Sequence, residues 1–388
     1  MKEPIWTKGF IALFFTNISI FIVFYALVAA LPLYAIGVLQ RTDDEAGLLL
    51  SIFLLSAIIV RPFTGKILNY FGKQKMLWIG LAFYVICTIL YYVIQSFTLL
   101  LALRFFQGIW FSIITTAAIS IIVDIIPKSR RGAGIGYFNM STNIAVVIGP
   151  LVALPIIQNF SFDLLFLLLS GLMLCGTLAS LVTKGEKISE VREASFSFSL
   201  NDLFEKAALP TALLSCLVAF SYAGILSYLT LYAQEKNILS FVSVFYFVVA
   251  IGMLAPRPWT GKIFDEKGAK YVIIPGLIFF AIGIALLALV ETNLMFLIAG
   301  AFIGIGYGAV VPSMQTLAVQ STNVNRSSYA TATFFTFFDL GIAVGSYVLG
   351  ILALHSSYQT MYFTGVGIVI FALFCYLIST RVRPRNRA

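Results

Sequence analysis

The sequence predicts an all-α membrane protein, with twelve transmembrane helices arranged in two six-helix bundles. Three observations carry this. The chain is 60% hydrophobic and only 11% charged, with a mean hydropathy of +0.99, far outside the range of soluble globular domains. Apolar runs of about 18 or more residues, each long enough to cross a hydrocarbon core of roughly 30 Å, follow one another along the chain. Finally, Arg61-Pro62-Phe63-Thr64-Gly65-Lys66-Ile67 returns 196 residues later as Arg257-Pro258-Trp259-Thr260-Gly261-Lys262-Ile263. A soluble fold has no reason to repeat a basic, Gly-punctuated segment at half its length; a membrane protein built from two parallel repeats does.

Each expected span is bounded by polar residues. The first, 9–37, follows Met1-Lys2-Glu3-Pro4 and is too long for a cleavable signal peptide, so it reads as an uncleaved span. The second, 45–65, lies between the acids Asp43 and Asp44 and the first basic repeat. The third, 75–97, follows Lys73, and the fourth, 98–126, stops before Pro127-Lys128. The fifth, 132–158, follows Arg130-Arg131, and the sixth, 161–183, ends the first half. Residues 184–206 form the only long polar segment, a linker with both signs of charge and a partly amphipathic pattern. The seventh span, 207–234, ends at Glu235-Lys236, and the eighth, 240–262, closes on the second basic repeat. Spans nine to twelve are 270–290, 293–319, 327–354 and 356–380. The expected domains are therefore an amino-terminal bundle (1–183), the linker, and a carboxy-terminal bundle (207–388).

The formal charge of +9 raises the question of nucleic acid, but Lys and Arg occupy alternate gaps between spans. That is the positive-inside pattern, so both termini are expected in the cytoplasm of a multi-pass cell-membrane protein, with no nucleic-acid partner. Cys87, Cys175, Cys216 and Cys375 all fall inside apolar spans and read as small apolar residues, not as disulfides or a metal site. His355 is the single histidine. No phosphate-binding loop, cofactor fingerprint or catalytic triad is present, so neither an enzyme nor a cofactor is expected.

The 196-residue offset also relates Arg130 to Arg326, Gly108 to Gly304 and Gly149 to Gly345. Gly65, Asn69, Gly72 and Lys73 resemble the loop signature of the major facilitator superfamily, a spaced Gly, Asp and Gly followed by basic residues. Arg104-Phe105-Phe106-Gln107-Gly108 is similar to its fourth-helix signature. Gly136, Ala145, Gly149, Pro150 and Ala153 resemble the fifth-helix pattern of its proton-coupled exporters. The likeness covers the whole chain and points to the bacterial drug:proton antiporter and metabolite-exporter branch. Asn69 stands at the first loop's acidic position, whereas the second copy keeps Asp265. Ala145 and Ala153-Leu154 stand where the family often has Gly.

The resemblance implies gating by the loops that contain Gly65, Asn69, Gly72, Lys73, Gly261, Asp265 and Gly268, with Arg130 and Arg326. The plainer reading is a topogenic loop, in which the glycines serve as turn residues. Arg104 lies about a turn and a half into its span. A cation at that depth needs a partner or an aqueous cavity, unless it snorkels to the surface. Gln107, one turn along, shares its face. Asp339 is the only one of the sixteen acids near the centre of a span, and Asn143 is its repeat counterpart. Desolvation favours the neutral form of a buried carboxyl group, which suits loading and release of protons; a permanently neutral structural hydrogen bond is the alternative. Asp124 reads as an interfacial acid near Lys128 and Arg130. Gly341 and Gly345 form a packing stripe, and Asp339 points away from it, since positions 339 and 341 are about 200° apart on a helix.

Asn17, Tyr25, Tyr222, Tyr228 and Gln315 are candidate pathway-lining residues. With Arg104, Gln107, Asn143 and Asp339 they describe a cavity for a small organic solute. The expectation is a monomeric secondary transporter, in contact with membrane lipid, that exchanges protons for an exported drug-like compound, with Asp339 and Arg104 as the coupling pair. A transporter of a polar metabolite, such as a sugar or a chelating molecule, is the alternative.

Overall fold

The computed structural model describes residues 4–41, 43–183, 203–323 and 326–382. Among them, thirteen α-helices follow in chain order: α1 (Lys8–Gly37), α2 (Asp43–Phe71), α3 (Lys73–Leu90), α4 (Phe97–Ile125), α5 (Arg131–Asn159), α6 (Phe162–Ser180), α7 (Leu209–Glu235), α8 (Val242–Leu254), α9 (Arg257–Lys267), α10 (Lys270–Ala288), α11 (Asn293–Gln320), α12 (Ser327–His355) and α13 (Tyr358–Val382). Eleven helical stretches are long and apolar enough to cross a membrane. Most of the linker, and the last six residues, lie outside the described residues.

The eighth expected span is broken. α8 stops at Leu254 and α9 starts at Arg257, with Ala255 and Pro256 between them. Pro256 and Pro258 each lack an N–H, and each ring crowds the carbonyl four residues back. The repeat supplies its own control: Val60 stands at the position equivalent to Pro256, Pro62 is alone, and α2 continues through it.

The repeated basic segments are not loops, as expected, but helix ends. α2 runs on to Phe71, so only Gly72 separates it from α3. Gly65 and Gly261 are helical. The sharp reversals are made by Gly72 (φ 90°) and Gly268 (φ 99°), a backbone region in which a Cβ is strained. The third helix ends at Leu90 and not at 97.

By contact clustering the chain divides into two compact units. One comprises residues up to Glu205 together with Thr322–Thr333, and the other comprises Lys206–Ser321 and Phe334 onwards. The first turns of α12 thus belong with the amino-terminal helices, a difference from the expected boundary at 207. Inside each unit the packing partners repeat. α2 packs on α4 as α8 packs on α11, α3 on α4 as α10 on α11, and α1 on α6 as α7 on α13.

Small residues make these approaches possible. A Cβ on Gly108 would collide with the carbonyl of Phe53, and one on Gly304 with the carbonyl of Val249, its counterpart 196 residues on. Gly149 abuts the Tyr25–Ala26 backbone, while Gly341 and Gly345 abut Cys216 and Phe220 of α7. Between helices in a lipid-like environment, close backbone contact of this kind replaces the hydrophobic drive available in water.

Candidate functional site

The amino-terminal unit holds its charge in a buried polar network. Arg104, on α4, is 1% exposed. Its Nε donates to the Leu49 carbonyl at 3.1 Å, and its Nη1 donates to Gln107 Oε1 at 3.0 Å. The Tyr91 hydroxyl donates to the same Gln107 oxygen at 2.6 Å. The guanidinium also lies 4.3 Å above the Phe53 ring, a cation–π contact that gains from being dry. Neither snorkelling nor an open water-filled wall describes this residue: Arg104 is clamped where α2 and α4 meet the end of α3. Gln107 Nε2 is buried and meets no acceptor among the described residues.

A second polar contact joins α1 to α5. Asn17, 3% exposed, donates through Nδ2 to Ser141 Oγ at 2.7 Å and Thr142 Oγ1 at 3.1 Å. Asn143, on the next position of α5, has a buried Nδ2 without an acceptor among the described residues. Gly136 and Gly149 are buried in the same helix, and Pro150 lies inside it. Tyr25 stacks near Phe21 and Phe24, so it extends an aromatic wall that ends on Phe53 and Phe111.

The cations of the repeated basic segments divide in two: Lys75, Lys262, Lys267 and Lys270 are exposed. Arg61, Lys66 and Lys73 are all buried. Lys73 Nζ sits 2.7 Å from Asp124 Oδ2, with both side chains 2% exposed. The same ammonium donates to Ser327 Oγ, on the first turn of α12, at 3.2 Å. Asp124, expected as an interfacial acid near Lys128 and Arg130, has Lys73 of α3 as an ion-pair partner. Nearby, Gly65 lies against the Tyr329 backbone. Arg326 Nε pairs with Glu205 Oε2 at 2.5 Å, and the Glu205 amide donates to Thr333 Oγ1 at 2.9 Å. Asn69 is buried in the same helix end, 6% exposed, and Arg130 is half-buried. Glu205 and Ser327 were missed as site residues. A polar linker end and a serine beside a span boundary carry no signal of their own.

In the carboxy-terminal unit, Asp339 is half-buried on α12, two residues before the Gly341 and Gly345 stripe that faces α7. The ring of Tyr222 stacks on Tyr307 at 3.9 Å and 16°, joining α7 to α11. Gln315 is buried two turns further along α11. Tyr228 donates from its hydroxyl to the Ser346 carbonyl at 2.7 Å. Asp265, on α9, is half-buried. Arg104 and Asp339, the expected coupling pair, belong to different units.

Comparison with known proteins matches this arrangement of paired helical units to one family. The model of the Major Facilitator Superfamily matches residues 13–322 and 265–388. The chain belongs to that superfamily. An uncharacterized MFS-type transporter of Methanocaldococcus jannaschii is 26% identical over 351 residues, covering 87% of this chain and 90% of the relative. The multidrug resistance protein MdtG of Escherichia coli is 22% identical over 355 residues, covering 88% and 86%. MdtG of Klebsiella pneumoniae is 23% identical, covering 92% and 90%. Among solved structures, the human organic anion transporter MFSD10 superposes with a TM-score of 0.83 at 13% identity, over 96% of this chain and all of the other. At that identity the likeness speaks for the fold alone. The chain is thus a multi-pass membrane transporter of small molecules and not an enzyme.

Proposed function

We propose that this protein is a proton-coupled exporter of small organic, drug-like compounds, working by alternating access of two six-helix bundles. In this reading α8 and α9 together form one kinked span, which brings the number of spans to twelve. The basic ends of the helices and both termini face the cytoplasm, in line with the positive-inside pattern of Lys and Arg. The observation that carries the proposal is Asp339, an acid far inside a span, on a helix whose neighbouring glycines occupy the other face. The MdtG relatives supply the drug-like substrate class, by analogy.

Its chemistry follows from position. An ionisable group this far inside a span is a candidate carrier of the coupled proton, loaded from one side and released to the other as access alternates. Membrane potential contributes about 2.3 kcal/mol per charge per 100 mV to an inward proton, enough to drive a solute outward against its gradient. α12 also begins at Ser327, within reach of Lys73. Asp339 lies twelve residues further along the same helix, about 18 Å at the helical rise. A change of charge at Asp339 can therefore bias the helix that the Lys73–Asp124 pair holds at its basic end. Gln107 and Asn143 contribute amide donors to the substrate path, and Arg104 preorganises Gln107.

The test is proton release from acidified inside-out vesicles on addition of lipophilic cations, sugars or chelators, comparing wild type with Asp339→Asn. Release evoked by a drug-like compound, and lost in the variant, is expected. A response to one polar solute alone would transfer the assignment to metabolite transport. Normal pH-dependent accumulation by Asp339→Asn would remove the proton from that residue.

A further inference from the structure

Away from Asp339, the carboxy-terminal unit contains a cavity of about 780 Å³ at the ends of α7, α12 and α13. Its lining includes Tyr228, Tyr347 and Tyr358, the acidic residue Glu235, and the small or apolar residues Gly350 and Leu354. The volume falls within the range of sites that hold drug-sized molecules. Three tyrosines and one acid, with no cation in the lining, form an arrangement with a definite preference. Ring faces attract positive charge, and a carboxylate adds a counter-ion.

The local structure is held in a way that keeps the aromatic surfaces presented. The Tyr228 hydroxyl is tied to the Ser346 carbonyl at 2.7 Å, and Ser227 and Ser346 hydroxyls meet at 2.9 Å. Tyr228 and Tyr358 rings stand 6.5 Å apart at 38°, and Tyr358 also packs 6.0 Å from Tyr232. Gly350 exists here for space, because a methyl at that position would run into the Tyr228 hydroxyl. Tyr347 and Leu354 are 72% and 81% exposed, so they form the rim of the cavity and not its interior. Lys236 lies 5.7 Å over the Tyr232 ring, and neither it nor His355 lines the cavity.

We propose that this cavity is a binding site for lipophilic organic cations, with Glu235 as counter-ion and Tyr228, Tyr347 and Tyr358 as the aromatic walls. The site lies within one unit, at the helix ends opposite the basic ones. It deepens the export reading, on which its role as an exit-side subsite rests, but its affinity requires neither a gradient nor Asp339.

The experiment is calorimetric titration of the purified full-length protein in detergent with tetraphenylphosphonium, and with tetraphenylborate as an anion of the same shape. Wild type should bind the phosphonium at least tenfold more tightly than the borate. Glu235→Gln should lose about five- to tenfold of phosphonium affinity while leaving borate binding unchanged. Tyr347→Leu should weaken it two- to fivefold, and Tyr347→Phe should not, since the ring face is retained. Glu235→Asp, which keeps the charge, guards against a folding defect in the Gln variant. Equal affinity for the two ions, or wild-type phosphonium affinity in Glu235→Gln, would overturn the site. The two readings fail separately: Glu235→Gln in the titration tests this cavity, whereas proton release by Glu235→Gln vesicles, which this reading expects to persist at saturating compound, reports on the coupling.

Discussion

Neutralising one member of the Lys73–Asp124 pair should damage the protein far more than neutralising both. At 2.7 Å and an effective dielectric of about 20, the attraction is about 6 kcal/mol. Desolvation of two ions, at several kcal/mol each, cancels most of it, so the net value of the intact pair is small. Lys73→Met, however, removes the ammonium from the Asp124 carboxylate, whose side chain is 2% exposed, at a cost of about 3–5 kcal/mol. It also removes the hydrogen bond to Ser327, about 1 kcal/mol. Asp124→Leu strands the ammonium to a similar extent. The double variant Lys73→Met, Asp124→Leu fills the volume with apolar atoms and should recover most of the loss. Equilibrium unfolding in mixed SDS micelles, run as a double-mutant cycle, reads this directly. The reasoning fails if either single change costs under about 1 kcal/mol, or if the double variant shows the simple sum of the two.

Three further outcomes are expected. Gly72→Ala should destabilise by about 1–3 kcal/mol in the same unfolding measurement, because φ is 90° there, whereas Gly37→Ala, with open space around it, should be nearly neutral or slightly stabilising. Gly345→Leu should cost about 1–3 kcal/mol or more by forcing α12 away from the Phe220 carbonyl, and cross-linking between α7 and α12 should fall in parallel. Arg104→Lys keeps the charge but cannot reach both Leu49 and Gln107 with a fixed fork; substrate-dependent flux should drop about tenfold with the protein still folded, and full activity in this variant would reduce Arg104 to a bare charge.

Membrane residence, the helical class and the repeated basic segment were all legible in the chain itself. Hydropathy reports the solvent directly, because a backbone in lipid satisfies its hydrogen bonds only within helices or closed barrels. The positions of Gly108, Gly149, Gly304 and Gly345 could be read as matched pairs, and the close contacts they make confirm why no larger residue fits. Even the break between α8 and α9 had a local cause, in Pro256, though an uninterrupted apolar pattern masked it.

The polar partnerships were not legible, and the reason is physical. Whether Asp124 turns to Lys128, four residues along the chain, or to Lys73, 51 residues back, depends on how α3 lies beside α4, and hydropathy is silent on that. Ser327 and Glu205 gain significance only through the groups that approach them. The depth of Arg104 was readable while its surroundings were not; the Phe53 ring and the Leu49 carbonyl come from another helix. The tyrosines at the ends of α7, α12 and α13 lie on three helices, with Tyr228 and Tyr358 130 positions apart. Sequence alone determined which residues are costly to bury. Tertiary structure decided what each of them meets there, since the energy of a buried charge belongs to its pairing and not to its position in the chain.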